Sequence, residues 1–237
     1  MCLCRGQSIL AHAGMWLWGV VVFVLTAALI LSASRGAVFA SFIALLGTIL
    51  LYARNRMLII QKLLPAFFAL TAFMFLFEIF IGIERLWHVY SLRQFTDVRL
   101  IQWMDALVAL PEYWLLGVGT GGYDYFYAAI KSPQLGALRY DHAHNDYLEF
   151  FVTTGVVGLF LFIGCIFFLF RGYFAFAKRQ GSTEHNVDIY AAFWAVSTVL
   201  IHSIVDFNLQ IPANFLLFLY AAMLLRALLD RHAARRA

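Results

Sequence analysis

The amino-acid sequence predicts an all-α integral membrane protein of about six transmembrane helices with one long, structured, partly helical outer loop. Three observations carry that prediction. The 237 residues are 63% apolar and 13% charged, with mean hydropathy +0.82, whereas soluble domains run at roughly 45–50% apolar and 25% charged. The apolar residues fall in unbroken blocks of about the length that crosses a bilayer, roughly 17–25 residues. Lys and Arg gather at the ends of those blocks, where they orient a membrane protein. Soluble globular, disordered and coiled-coil chains are excluded, because the blocks are too apolar for the first two and lack heptads for the third. The net charge of +4 is spent at block ends, so nucleic-acid binding is not expected.

The blocks run from Met15 to Ser32, Gly36 to Ala53, Leu63 to Ile83, Tyr147 to Phe170, Ile189 to Val205 and Pro212 to Leu229. They divide the chain into an N-terminal segment (1–14), three spans (15–83), a large loop (84–146), three further spans (147–229) and a basic tail (230–237). The first block has only Arg5 ahead of it and no small-residue cleavage site behind it, so it is expected to remain a membrane helix. Alternate connections are unequal in Lys and Arg. Arg5, Arg54, Arg56, Lys62, Arg171, Lys178, Arg179, Arg226, Arg231, Arg235 and Arg236 outnumber Arg35, Arg85, Arg93, Arg99, Lys131 and Arg139. The first set is retained in the cytoplasm, which places both termini there and turns the 84–146 loop outward. A loop of that length is functional or disordered, and its Trp, Tyr, Leu and Phe content argues against disorder. Val98 to Leu110 has the periodicity of an amphipathic helix, stopped by Pro111. Gly117, Gly119, Gly121 and Gly122 form a turn region, and a short helix follows from Tyr123 to Ile130, ahead of Pro133.

Cys2 and Cys4 have no His or Cys partner nearby and Cys165 lies inside a block, so neither a disulfide framework nor a zinc site is supported. Gly117-Val-Gly119-Thr-Gly121-Gly122 lacks the preceding strand and the following Lys-Ser or Lys-Thr of a phosphate loop. Three polar clusters map to the outer face. Arg35 lies in Ser34-Arg35-Gly36, either a plain tight turn or an interfacial arginine whose planar fork suits phosphate. Arg99 and Trp103 share one helix face as an interfacial pair or as a second basic group for an anionic ligand. In Asp141-His-Ala-His-Asn-Asp-Tyr-Leu-Glu149, His142 and His144 are interface residues, a general base, or members of a metal set for which further ligands at the right spacing are wanting. His202 and Asp206 are four residues apart at the outer end of the fifth span, serving either a helix-terminal hydrogen bond or the shape of a site.

Taken together these residues resemble the O-antigen ligase and O-antigen polymerase superfamily of multi-span, lipid-linked glycan transferases. The resemblance rests on His144-Asn145 followed by Gly155, on Ser34-Arg35-Gly36-Ala37, on Arg99-x-x-x-Trp103 leading to Pro111 and Leu116-Gly117-Val118-Gly119, and on the run from His202 to Pro212. Members of that superfamily are usually longer, with more spans, so the resemblance is to their C-terminal half, and the missing N-terminal half would be a partner. It implies glycan transfer from an undecaprenyl-diphosphate-linked donor to an acceptor hydroxyl, lipid A core for a ligase or a lipid-linked repeat for a polymerase, at the periplasmic face of a bacterial inner membrane. By the same resemblance His144 is the catalytic base and Arg35 and Arg99 hold the diphosphate. His142, Asn145, His202 and Asp206 support them, with no cofactor or metal. Two alternatives from other classes are an inactive membrane subunit and a transporter. A transporter would place polar residues at mid-membrane depth and often carry an inverted repeat; here they gather at the outer interface.

Overall fold

The computed structural model describes residues 20, 21, 23–29, 32, 34–53, 65, 98–137, 139–179 and 186–236. These form α1 (Arg35–Ala53), α2 (Val98–Ala109), α3 (Tyr123–Ile130), α4 (Asp146–Arg179), α5 (Val187–His202) and α6 (Pro212–Ala234), with 3-10 turns at Leu110–Glu112, Pro133–Leu135 and Asn208–Gln210. No strand occurs among the described residues. Residues 20, 21 and 23–29 are helical as well, within the first expected span. The third expected span, Leu63 to Ile83, lies outside the described residues apart from Pro65, as do Cys2 and Cys4.

Two helices, over Asp146–Lys178 and Pro212–Ala234, are long and apolar enough to cross a membrane; Gly36–Tyr52 and Val187–His202 are apolar but shorter. Only 17% of the most apolar stretch of each long helix is buried in protein. A core helix of a soluble domain would be mostly buried, and this much exposed Phe, Leu and Ile would drive aggregation in water. Phe160, Leu161, Ile163, Phe167 and Phe168 of α4 are all exposed.

Helix α5 packs between α1 and α6. Around it Tyr173, Tyr190, Phe193, Phe218 and Leu225 form a buried cluster, in which the Tyr173 and Phe193 rings stack with centroids 3.6 Å apart. Helix association inside a bilayer depends on such packing and on interhelical hydrogen bonds, because lipid is as apolar as the side chains. Trp194 supplies one such bond, its indole donating to the Ser41 carbonyl at 3.0 Å. Ser34 starts α1 as its N-cap: its hydroxyl accepts the Ala37 N–H at 3.3 Å.

The outer segment has its own core of Ala106, Leu110, Tyr123, Phe126, Tyr127, Leu135, Ala143 and Val152. Asp105 ties α2 to α3, accepting the Tyr127 hydroxyl at 3.0 Å, the Ser132 N–H at 3.0 Å and the Ser132 hydroxyl. Burial, with the Asp105 carboxylate beside it, pushes the Tyr127 phenol well above its ordinary range, and burial does the same for Tyr123. Both remain neutral, and Tyr127 donates to Asp105. Pro111 is the second residue of the 3-10 turn that ends α2, where its missing N–H is no loss.

Of the apolar positions that make Val98 to Leu110 amphipathic, Ile101 and Leu110 turn to the core while Val98 and Leu107 are exposed. Gln102 is completely buried, while Leu100, Met104, Leu107 and Val108 are exposed. The side of α2 that faces protein is mixed, carrying Gln102 alongside Ala106, with Leu110 following, and the side that faces away is apolar.

Helix α4 is broken once. Gly155 adopts φ +65° and ψ −170°, which interrupts the run of helical hydrogen bonds. The Trp114–Gly119 loop bonds two carbonyls before the break and two N–H groups after it. Val118 and Gly119 N–H donate to the Val152 and Thr153 carbonyls at 2.9 and 3.0 Å, and Val156 and Val157 N–H donate to the Trp114 and Leu115 carbonyls at 2.8 and 3.5 Å. Both glycines at this crossing are obligatory: a Cβ on Gly155 would overlap the Leu115 carbonyl, and one on Gly117, at φ +72°, would overlap the Thr153 backbone.

Candidate active site

The site is built where the segment before α4 meets the loop after α5. His144 takes φ +51°, a left-handed conformation uncommon for a residue with a side chain and costing about 1–3 kcal/mol. It turns the chain into α4, and Asn145 caps that helix, its side-chain oxygen accepting the Leu148 N–H at 3.0 Å. The turn is pinned on both sides. The Ala143 carbonyl accepts the Trp103 indole N–H at 2.7 Å, and the Ala143 N–H donates to Glu149 at 2.8 Å. Glu149, buried, also meets His142 Nδ1 at 2.9 Å.

The opposite wall is the Ser203–Ile211 loop. The Asp146 N–H donates to the Ser203 carbonyl at 2.9 Å and the Asp146 carboxylate accepts the Leu209 N–H at 2.9 Å. Arg99 reaches across from α2, its Nη1 donating to the Val205 carbonyl at 2.8 Å. Asn208 lies 2.9 Å from His202 Nδ1.

Two histidines flank one carboxylate. His144 Nδ1 stands 3.3 Å from Asp206 Oδ1, and His202 Nε2 stands 3.5 Å from Asp206 Oδ2. His202 Nε2 is also 3.4 Å from the Ser34 hydroxyl. Helix α5 ends at His202, so the expected four-residue pairing with Asp206 survives beyond the helix, through a turn. Phe207 stacks on His142 with centroids 4.5 Å apart and meets His144 edge-on at 4.8 Å. With Nδ1 directed at Asp206, His144 presents Nε2, which has no hydrogen-bond partner among the described residues, on a ring about one-third exposed. A carboxylate on one ring nitrogen fixes the tautomer that leaves a lone pair on the other.

The arrival of α1 completes the cluster. Gly36 passes so close to the loop that a Cβ there would lie 3.0 Å from Val205 and 3.1 Å from His202. Arg35 is the first residue of α1, between Ser34, which meets His202, and Gly36, which packs on it. The structure therefore gathers His142, His144, Asn145, Arg99, His202 and Asp206, together with the backbone of Arg35, in one place. The Arg35 side chain lies outside those described. Among the described residues no group of three His, Cys, Asp or Glu stands in metal-holding geometry. Sequence reasoning missed Phe207 as the ring shared by both histidines and Ser34 as a contact of His202. The only signal for either was adjacency to a residue already singled out.

A family model described as O-antigen ligase matches residues 20–163. A protein of Haemophilus influenzae (strain ATCC 51907 / DSM 11121 / KW20 / Rd), described as uncharacterized, is 36% identical over 93 residues, which are 38% of this chain and 22% of that protein. The match thus spans about a fifth of the relative's length. No solved structure matches the chain.

Proposed function

Since the chain belongs to the O-antigen ligase family, we propose that it transfers a glycan from an undecaprenyl-diphosphate donor to an acceptor hydroxyl, a lipid A core sugar, at the periplasmic face of the bacterial inner membrane. The observation that carries this reading is the His144–Asp206 pair, 3.3 Å apart at Nδ1 and about one-third exposed beside the loop that Arg99 grips.

In this reading the acceptor oxygen attacks the anomeric carbon of the donor and loses its proton to His144 Nε2. The bond from that carbon to the diphosphate oxygen breaks, and its electron pair leaves with the lipid diphosphate. The resulting imidazolium faces the Asp206 carboxylate through its Nδ1–H, which stabilises the charge as it forms. Arg99, and Arg35 at the start of α1, meet the negative charge that grows on the leaving group. Guanidinium forks suit phosphate oxygens geometrically as well as electrostatically. The donor linkage already stores the energy of transfer, so no nucleotide step is called for. Asp206 and His202 act through His144 as positioning residues, and Asn145 and His142 hold the turn on which His144 sits.

The test is glycan transfer by the purified, lipid-reconstituted chain, offered an undecaprenyl-diphosphate glycan with lipid A core, His144→Ala alongside. One shifted lipid A species that depends on His144 is the expected product. A ladder of lengthened donor would instead identify a polymerase, and equal product from both forms would remove His144 from the chemistry.

A further inference from the structure

The exposed apolar face of α2 runs into an exposed apolar loop. Leu100, Met104, Leu107 and Val108 lie along one side of α2, Val108 being 78% exposed, and Trp114, Leu115 and Leu116 follow, Leu116 being 70% exposed. On the surface of a soluble cap this patch would be a liability. Its position relative to α4 explains it.

The depth of the loop is set by its hydrogen bonds. Trp114 and Leu115 accept from Val156 and Val157, and Val118 and Gly119 donate to Val152 and Thr153, so the loop sits level with the break at Gly155. The basic end of α4 carries Arg171 and Lys178. From Phe170, the last residue before Arg171, to Val157 is about 20 Å at about 1.5 Å per residue, well short of the about 30 Å of a hydrocarbon core. With α4 spanning, the break and the loop bonded to it therefore lie below the outer edge of the hydrocarbon. Irregular backbone survives at that depth only if its polar groups are satisfied by protein, and the four bonds across the break meet that demand. Val157, Phe160 and Leu161 of α4, next to the loop, are exposed apolar residues too. The patch is continuous with the lipid-facing surface of the span.

We propose that the outer segment is re-entrant: Trp114–Leu116 and the Leu100/Met104/Leu107/Val108 face of α2 are immersed among the acyl chains of the outer leaflet. The adjoining side of α2, about a quarter to a third of a turn round from the apolar face, carries Arg99 and Trp103 into the site. Less than the about 10–12 Å width of one helix then separates bilayer hydrocarbon from the proposed diphosphate position, so a donor lipid can keep its tail in the membrane while its headgroup is held. The proposal rests on α4 spanning the bilayer, as the reading above requires.

The experiment places nitroxide labels at single cysteines of the full chain in lipid nanodiscs, in a background with Cys2, Cys4 and Cys165 changed to Ser, and compares collision rates with oxygen and with a water-soluble nickel chelate. Labels at Leu116→Cys and Val108→Cys are expected to favour oxygen several-fold, as at Phe160→Cys in α4, while Gln134→Cys favours nickel. Leu116 and Val108 behaving like Gln134 overturns the proposal. So does exclusion from both reagents, which would mean that another protein segment covers the face. Nickel access at Phe160 would refute the span itself and the proposal with it. The unmutated chain supplies a second readout: a phospholipid with a diazirine on its acyl chain should label residues between Met104 and Leu116. Adducts confined to α4 and α6 would overturn immersion.

Discussion

His144 and Asp206 act as one unit in the proposed transfer, and single and double variants separate that from two independent roles. His144→Ala is expected to lower transfer about 10²–10⁴-fold, the usual loss for a general base, with insertion and melting temperature unchanged. Asp206→Asn keeps the size of the side chain but removes the charge facing Nδ1, so it should cost a comparable factor, and the double variant should be no worse than His144→Ala alone. Losses that multiply would show that Asp206 acts elsewhere. Arg99→Lys replaces a fork by a point charge. It is expected to lower kcat/KM about 10–100-fold, in line with one or two charge-assisted bonds, and an unchanged kcat/KM would remove Arg99 from diphosphate binding. His202 sits between Ser34, Asn208 and Asp206, where it holds Asp206 in place.

At the scale of elements, the crossing of α4 by the Trp114–Gly119 loop is where backbone geometry decides stability. Gly155→Ala forces a Cβ into the Leu115 carbonyl at a positive φ; it should destabilise by on the order of 2–4 kcal/mol, read as a drop in thermal midpoint in detergent. Gly164→Ala in the same helix meets nothing within 4 Å and should be neutral or stabilise by up to about 1 kcal/mol. Equal effects from the two would show that the Gly155 break is dispensable. Hydropathy made α4 and α6 legible as long apolar helices, and Pro111 and Pro133 marked the ends of the cap helices. The side of α2 that faces protein was not legible. Periodicity reports that a helix has two faces, but assigning one to the interior assumes water outside, and where lipid is the outer solvent the apolar face turns away, as Gln102 and Val108 show. The pairing of Gly117 with Gly155 was equally hidden, because a glycine's partner across space leaves no trace in its neighbours along the chain.

For the molecule as a whole, the polar features divide between two ends. The site gathers residues from α1, α2, the start of α4 and the loop after α5, whereas Arg171 and Lys178 lie toward the far end of α4 and Arg226, Arg231 and His232 toward the far end of α6. By the retention of basic ends in the cytoplasm the site is expected at the outward-facing end, which is where a donor already carried across the membrane would be used. That sidedness is separable from the chemistry. In intact right-side-out spheroplasts, with Cys2, Cys4 and Cys165 changed to Ser, an impermeant maleimide should modify Gln134→Cys directly. It should reach Arg235→Cys, beyond the end of α6, only after permeabilisation. Both positions avoid the hydrogen-bonded core of the cap, so neither substitution disturbs the fold on which the assay depends. The reverse pattern would put the His144–Asp206 pair on the cytoplasmic face and require a donor that has not yet been moved across.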